Sequence, residues 1–154
     1  MTIIPEQHKK KAAWVAICVA LTGGAEGVRQ TAYRDVTGLP TICFGETRGV
    51  KITDRKTLEE CKTMLEGRVE EFGDKVDRCT DVPLPPKRKA AMVDFSYNLG
   101  EGTYCKYIAP QLNRGETEAA CTHLLKFNHA GGVVFPGLTK RREMERDLCM
   151  EDLV

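Results

Sequence analysis

Two carboxylic acids and one hydroxyl lie close together near the start of the chain, at Glu26, Asp35 and Thr41. The segment that carries them, 26–41, is short and contains glycine and proline, so it does not read as a core element. Two carboxyl groups held apart across a cleft can hydrolyse a glycosidic bond, because one protonates the leaving oxygen while the other activates water or stabilises positive charge. Spacing alone does not establish this chemistry, since an aspartate beside a turn is usually only a turn residue.

The surrounding pattern predicts how these side chains are positioned. An uncharged stretch leads into Glu26 and predicts a helix that ends there. Two runs typical of strands follow, at 33–35 and 39–44, and the Val-Thr-Gly segment between them is typical of a hairpin turn. We therefore expect Glu26 at a helix end, facing a small hairpin that carries Asp35 and Thr41.

The order and spacing of these residues resemble the active-site signature of the phage lysozymes, which include the T-even lysozyme and the lambdoid-phage endolysins. The resemblance continues through later motifs, among them Asp-Phe-Ser-Tyr-Asn-Leu-Gly at 94–100, Ala-Gly-Gly at 130–132 and Gly-Leu-Thr-Lys-Arg-Arg-Glu at 137–143. It implies an α+β, lysozyme-like fold, with a small β-hairpin lobe, a larger helical lobe and the active-site cleft between them.

The resemblance also implies an activity and the roles of three residues. The expected enzyme is an endolysin, an N-acetylmuramidase that hydrolyses the β-1,4 bond between N-acetylmuramic acid and N-acetylglucosamine in peptidoglycan and so releases phage by host cell lysis. Glu26 would be the general acid, which must keep its proton near neutral pH. Asp35 would stay ionised, and the Thr41 hydroxyl would position the attacking water.

Two further residues are expected to support the site. In this family an arginine near the last helix contacts the catalytic glutamate, and Arg141 fits that role better than its neighbour Arg142. Asn98 matches a segment beside the cleft, where it either touches sugar or belongs to the end of a helix. Phe127 stands where related endolysins often have tryptophan, so no role follows from it.

The N-terminal 1–25 region combines a basic start, Lys9–Lys11, with an apolar segment, Ala12–Ala25, and 26–154 is the expected catalytic domain. A membrane span needs about 20 residues, so the apolar segment is short for one. A cleavable signal peptide would have the same basic start and apolar middle, but cleavage after the segment would leave Glu26 at a frayed terminus. Several lambdoid endolysins carry an uncleaved signal-anchor that later leaves the bilayer, and the resemblance favours that interpretation. The basic residues Lys9–Lys11 would then lie on the cytoplasmic side of the membrane.

Under that interpretation the protein enters the host inner membrane transiently through Ala12–Ala25 and then moves to the periplasm. The alternative interpretation is that the segment is simply the first helix of the fold, and that the protein stays in the host cytoplasm until a holin releases it. The net charge of +1 argues neither for nor against a nucleic-acid partner, and none is expected. The expected partner is the peptidoglycan glycan strand, and the expected state is a monomer.

Seven cysteines are many for a chain of 154 residues. No Cys-x-x-Cys motif occurs and the histidines lack zinc-ligand spacing, so we expect no metal or cofactor, but disulfides formed in an oxidising compartment. In the fold that the resemblance implies, the predicted pairs are Cys43–Cys61, Cys79–Cys105 and Cys121–Cys149, with Cys18 free. Two alternatives stay open: some cysteines are reduced and pack as small apolar residues, or Cys18 exchanges with Cys43.

Further along the chain, helical spacing predicts a helix from about Asp54, capped by Thr53, after a short third strand at 50–52. A loop at 130–136 and a last helix from about Lys140 are expected near the end.

Two rival functions are considered. The first is a lytic transglycosylase, which uses one catalytic glutamate and needs no aspartate or threonine. The second is a non-catalytic, membrane-tethered wall-binding or lysis-regulating module, against which the intact Glu26, Asp35 and Thr41 argue.

Overall fold

The chain starts with a long helix, α1, Glu6–Glu26, which ends at the residue predicted to be the acid. A computed structural model describes residues 3–151, so the outermost residues of the two predicted regions, 1–25 and 26–154, lie outside it. The helix begins before the uncharged stretch, because the preceding glutamate, glutamine and lysines are good helix formers. By length and hydropathy, none of the helices in the described part of the chain could cross a membrane.

The small lobe is built on an antiparallel hairpin of β1, Arg29–Arg34, and β2, Pro40–Cys43, in which Tyr33 lies opposite Thr41. A third backbone segment joins the other edge of β1: the Ala32 N–H donates to the Asp54 carbonyl at 3.0 Å.

The predicted third strand at 50–52 is therefore wrong, because this edge is formed a few residues later. The backbone N–H of Asp54 donates to the Lys51 carbonyl at 2.9 Å, and the Asp54 carboxylate accepts the Lys51 N–H at 2.8 Å. The turn closed by these bonds occupies the predicted strand. Pairing with β1 then follows, where the Lys56 N–H donates to the Gln30 carbonyl at 2.9 Å.

Helix α2, Leu58–Cys79, connects the small lobe to the large one. It begins later than predicted, and its cap is Thr57, not Thr53. The Thr57 hydroxyl accepts the Glu60 N–H at 3.1 Å, and the Glu60 carboxylate accepts the Thr57 N–H at 3.2 Å. This reciprocal capping box satisfies two N–H groups that a helix start otherwise leaves without partners.

The large lobe contains the remaining elements, which are α3, Pro86–Leu99; α4, Glu101–Thr103; a π-helical turn, Tyr104–Ile108; α5, Ala109–Asn113; α6, Thr117–His123; a 3-10 turn, Leu124–Lys126; β3, His129–Ala130; β4, Val133–Val134; and α7, Pro136–Met150. The predicted loop at 130–136 is wrong, since it contains a second hairpin. Gly131 and Gly132 turn that hairpin with φ of 58° and 78°, a backbone that favours glycine. The last helix starts at Pro136, where a proline suits the first turn.

Helix α3 runs through the middle of the molecule and packs against α1, α2 and α7. Its residues from Ala90 to Phe95 are all fully buried. Helix α1 reaches this core through Trp14, for which Gly73 of α2 leaves room. A Cβ added at Gly73 would lie 2.4 Å from the Trp14 ring, and the Lys89 ammonium lies 5.2 Å above the same ring.

The structure contains three disulfides, and they join the pairs named from the sequence: Cys43–Cys61, Cys79–Cys105 and Cys121–Cys149. The first ties β2 to α2, and the third ties α6 to α7. Cys18 is free and fully buried in α1. Burial raises the pKa of its thiol to about 12, so the thiol is protonated at neutral pH.

Candidate active site

Glu26 lies at the C-terminal end of α1, where the large lobe meets the small one. Its side chain is 26% exposed, and its Oε1 atom accepts a hydrogen bond from Arg141 Nη1 at 2.8 Å. The glutamate faces the turn that follows β2, because a Cβ added at Gly45 would lie 3.9 Å from Glu26 Oε2. One carboxyl oxygen is thus held by a cation, and the other faces the small lobe.

Arg141 comes from α7 and is held in place by a second carboxylate, Asp94 of α3. Arg141 Nε and Nη2 donate to the two oxygens of Asp94 at 3.0 and 2.9 Å. A third bond to Asp94 comes from the Thr22 hydroxyl, at 2.6 Å. The group Glu26–Arg141–Asp94–Thr22 thus joins three helices at the base of the site.

The expected arginine contact is therefore made by Arg141, and Arg142 points elsewhere. Arg142 is fully buried, and its Nη2 donates to Glu145 Oε1 at 2.8 Å and to Asn98 Oδ1 at 2.9 Å. Asn98 itself is partly exposed, and the Gly100 N–H, rather than the Asn98 side chain, closes the end of α3 on the Ser96 carbonyl. Asn98 thus connects Arg142 to the surface beside the site.

Asp35 lies in the hairpin turn after β1, with its carboxylate in solvent. Its Oδ1 atom accepts three hydrogen bonds: from the Thr37 N–H at 2.8 Å, the Thr37 hydroxyl at 2.6 Å and the Leu39 N–H at 3.0 Å. The Thr37 hydroxyl and these backbone N–H groups hold the pKa of Asp35 below its ordinary value of 3.8. Asp35 is therefore ionised at neutral pH, as its expected role requires.

Thr41 lies on β2 across from Tyr33 and is almost fully buried, at 3% exposure. Its hydroxyl donates to the Leu39 carbonyl at 2.9 Å, which fixes the direction of the hydroxyl proton and leaves the oxygen free to accept.

After Thr41 the chain makes a tight turn, in which the backbone groups of Ile42 and Glu46 exchange two 2.9 Å hydrogen bonds. Cys43 in this turn has φ of 61°, which is rare for a residue other than glycine.

Three contacts fix this turn against the helices. The Tyr97 hydroxyl of α3 donates to the Phe44 carbonyl at 3.0 Å. Arg68 Nε of α2 lies 3.3 Å from Glu46 Oε2. The Cys43–Cys61 disulfide provides the third contact. The two lobes are therefore joined next to Glu26 by a covalent bond, an ion pair and a hydrogen bond.

Sequence reasoning did not single out Asp94, Glu145 or Tyr97. A charged residue in a helix is usually solvated, and the sequence pattern of α3 gave no sign that Asp94 is buried. The one sequence signal for them is the Arg141–Arg142 pair, because both arginines are paired with buried carboxylates. Among residues 3–151, no group of three or more histidine, cysteine, aspartate or glutamate side chains could hold a metal ion.

Comparison with known proteins gives concordant matches. The model of the phage lysozyme family matches residues 23–145. The SAR-endolysin of Bacteriophage PS119 is 35% identical over 130 residues, which cover 82% of this chain and 77% of the relative. The SAR-endolysin of Pseudomonas phage phiKMV is 35% identical over 142 residues, covering 88% and 89%.

Among solved structures, the active form of the P1 phage endolysin Lyz superposes with a TM-score of 0.75 at 28% identity, and the match covers 94% of this chain and 95% of that one. The family match includes Glu26, Asp35, Thr41 and Arg141, and it extends over most of the chain. The two-lobed, lysozyme-like fold predicted from the sequence is confirmed. The chain belongs to the phage lysozyme family.

Proposed function

We propose that this protein is a muramidase that hydrolyses the β-1,4 bond between N-acetylmuramic acid and N-acetylglucosamine in peptidoglycan. The observation that carries the proposal is the contrast between two carboxyl groups. Glu26 is partly buried against Arg141, whereas Asp35 is exposed and held ionised by its own turn. Acid and base roles are commonly separated in this way, by giving two carboxyls different surroundings.

In the proposed reaction Glu26 protonates the glycosidic oxygen as the bond to the leaving sugar breaks. The ionised Asp35 stabilises the positive charge that develops on the sugar ring, and takes the proton of the attacking water. The Thr41 oxygen accepts a hydrogen bond from that water and so aims it at the ring. Arg141 positions Glu26, and Asn98 is the second supporting residue. The reaction needs neither metal nor cofactor.

We further propose that Ala12–Ala25 acts as a signal-anchor, which places the protein in the host inner membrane before it works as a monomer in the periplasm. Its similarity to the SAR-endolysins of Bacteriophage PS119 and Pseudomonas phage phiKMV supports this proposal. Newly made protein should then sediment with membranes and later appear in the periplasm at unchanged length. A shortened periplasmic form would contradict an uncleaved anchor, and retention in the cytosol without a holin would favour a plain first helix.

Product analysis tests the proposed reaction. Purified peptidoglycan is digested in water enriched in heavy oxygen, and the soluble fragments are analysed by mass spectrometry. Hydrolysis gives reducing N-acetylmuramic acid ends that carry one heavy oxygen. Anhydromuramic ends without the label would instead identify a lytic transglycosylase, and binding to peptidoglycan without cleavage would identify a wall-binding module.

A further inference from the structure

Asp94 is a buried carboxylate that the proposed hydrolysis does not use directly. Its side chain is 0% exposed, yet it accepts bonds from two nitrogens of Arg141 and from the Thr22 hydroxyl. The third guanidinium nitrogen, Arg141 Nη1, donates to Glu26. A guanidinium is planar and its donors have fixed directions. Hydrogen bonds to two of its nitrogens therefore set the direction of the third. The placement of Asp94 therefore determines how Arg141 meets Glu26.

The charge of Asp94 is maintained by its neighbours. Burial alone would raise the pKa of Asp94, but hydrogen bonds with Glu145 and Arg141, together with the Arg141 charge, lower it overall. Glu145 is fully buried on α7, and desolvation and the hydrogen bond with Asp94 raise its pKa well above the ordinary value. Glu145 is also paired with Arg142, whose Nε atom lies 2.8 Å from Glu145 Oε2. The negative charge on Asp94 faces the positive charge on Arg141.

We infer that Asp94 is a positioning residue for the proposed muramidase: it aims the Arg141 guanidinium at Glu26 and balances the guanidinium charge. The inference rests on the proposed function, because it concerns the proton that Glu26 transfers. Without the negative charge of Asp94, the positive charge of Arg141 would favour the ionised form of Glu26, which cannot donate a proton. With Asp94 in place, the Arg141 charge is shared between two carboxyl groups, Glu26 and Asp94.

The other groups near Glu26 make their hydrogen bonds and ion pairs with residues other than Asp94. From α3, Tyr97 approaches Glu26, and burial together with the charges of Glu26 and Glu46 raises the Tyr97 pKa to about 12, so the phenol is neutral. The turn after β2 presents the Gly45 backbone to Glu26. The Glu46 carboxylate in that turn is paired with Arg68 of α2. A changed pH dependence in an Asp94 variant therefore reports on Asp94 and the two charged neighbours that it contacts, Arg141 and Glu145.

The test is the pH profile of peptidoglycan hydrolysis by Asp94→Asn, followed by the release of reducing ends from about pH 4 to pH 9. The amide removes the charge and keeps the shape. We expect the alkaline limb of the profile to move to lower pH by about one unit, because the Arg141 charge near Glu26 is no longer balanced by Asp94. A merely structural role would lower the amount of folded enzyme without moving the limb. Asp81→Asn, the same change at an exposed position, is the matched control and should leave the limb in place.

Asp94→Glu is the second variant, because it keeps the charge but displaces the carboxylate. It should leave the alkaline limb in place while lowering kcat about tenfold through a misplaced Arg141, with KM little changed. If Asp94→Asn does not fold, this split of kcat against KM tests the inference by itself. Wild-type kcat in Asp94→Glu, or an unmoved limb in folded Asp94→Asn, would overturn it. Glu26→Gln is measured alongside: activity in that variant would overturn the proposed function instead.

Discussion

The two halves of the candidate site are built in different ways. On the hairpin, Asp35 and Thr41 make bonds that span two or four residues along the chain, and the Asp35 carboxylate is exposed. At the base of the cleft, Glu26 is held through Arg141 by bonds that span 115 and 47 residues, and most of these atoms are buried. One half is a local turn, and the other exists only when three helices are packed together.

This difference predicts how each half responds to change. An exposed carboxylate held by its own turn keeps its charge as long as the turn forms, whatever happens elsewhere in the molecule. The buried half depends on the packing of α1, α3 and α7, so a fault in that packing should alter the behaviour of Glu26. Variants of the hairpin should therefore alter activity without loss of stability, and variants of the helical core should alter stability first.

The largest expected effect on the hairpin side comes from Asp35→Asn. The amide oxygen can still accept the Thr37 and Leu39 hydrogen bonds, so the turn persists while the charge is lost. We expect hydrolysis to fall about 100- to 10,000-fold with an unchanged melting temperature, because a carboxylate acting in the transition state is removed. Asp74→Asn, at an exposed position of α2, is the control. Near-normal activity in Asp35→Asn would remove Asp35 from the mechanism.

The disulfides separate the two halves in a second way. Replacing Cys121 and Cys149 by alanine should lower the free energy of unfolding by about 2–4 kcal/mol, through loss of loop closure, and leave activity at low temperature unchanged. Replacing Cys43 and Cys61 should instead reduce activity in protein that is still folded, since this bridge fixes the turn beside Thr41. Chemical denaturation and hydrolysis rates, measured on both double variants, check the contrast. Equal loss of activity in both would contradict it.

The packing of Trp14 of α1 against Gly73 of α2 gives a smaller effect, on stability alone. Gly73→Ala would place a methyl group 2.4 Å from the Trp14 ring, so the ring must move. We expect a loss of about 1–3 kcal/mol in unfolding free energy, as is typical of overpacking. Gly67→Ala, on the same helix with open space around it, is the control and should be neutral or slightly stabilising. Trp14→Leu should relieve part of the Gly73→Ala defect.

The smallest expected effect is a shift in pH dependence on the hairpin side. The Thr37 hydroxyl is the main cause of the lowered pKa of Asp35, so Thr37→Val should raise that pKa toward 3.8. Activity requires ionised Asp35 and is lost as pH falls through its pKa, so the acidic limb should move to higher pH. Thr31→Val, on the neighbouring strand, should leave the limb unmoved. A shift toward lower pH in Thr37→Val would contradict this account of Asp35.

The same contrast explains what the sequence could predict. The hairpin, the end of α1 and the three cysteine pairs followed from local patterns and from the family resemblance. The Thr57–Glu60 capping box is visible in the sequence as Thr-x-x-Glu. The turn closed by Asp54, which moves the helix start from Thr53 to Thr57, has no comparable sequence signal. The Gly131–Gly132 turn was likewise a readable hairpin signal.

The buried network was not predictable in the same way. Neighbouring positions on a helix point about 100° apart, so only the packed fold decides that Arg141, and not Arg142, meets Glu26. Asp94 and Glu145 look like ordinary charged helix positions in the sequence, because their burial depends on partners more than 40 residues away or on the next turn of α7. Long-range partners of this kind require the three-dimensional structure.

The proton donor carries the central claim, and Glu26→Gln tests it most directly. The amide keeps the size of the side chain and can still accept the Arg141 hydrogen bond, but it cannot protonate the glycosidic oxygen. We predict that folded Glu26→Gln releases no measurable reducing ends from purified peptidoglycan, while Glu66→Gln, at an exposed position of α2, retains full activity. Hydrolysis by Glu26→Gln at a rate near that of the unmodified protein would contradict the assignment of Glu26 as the acid.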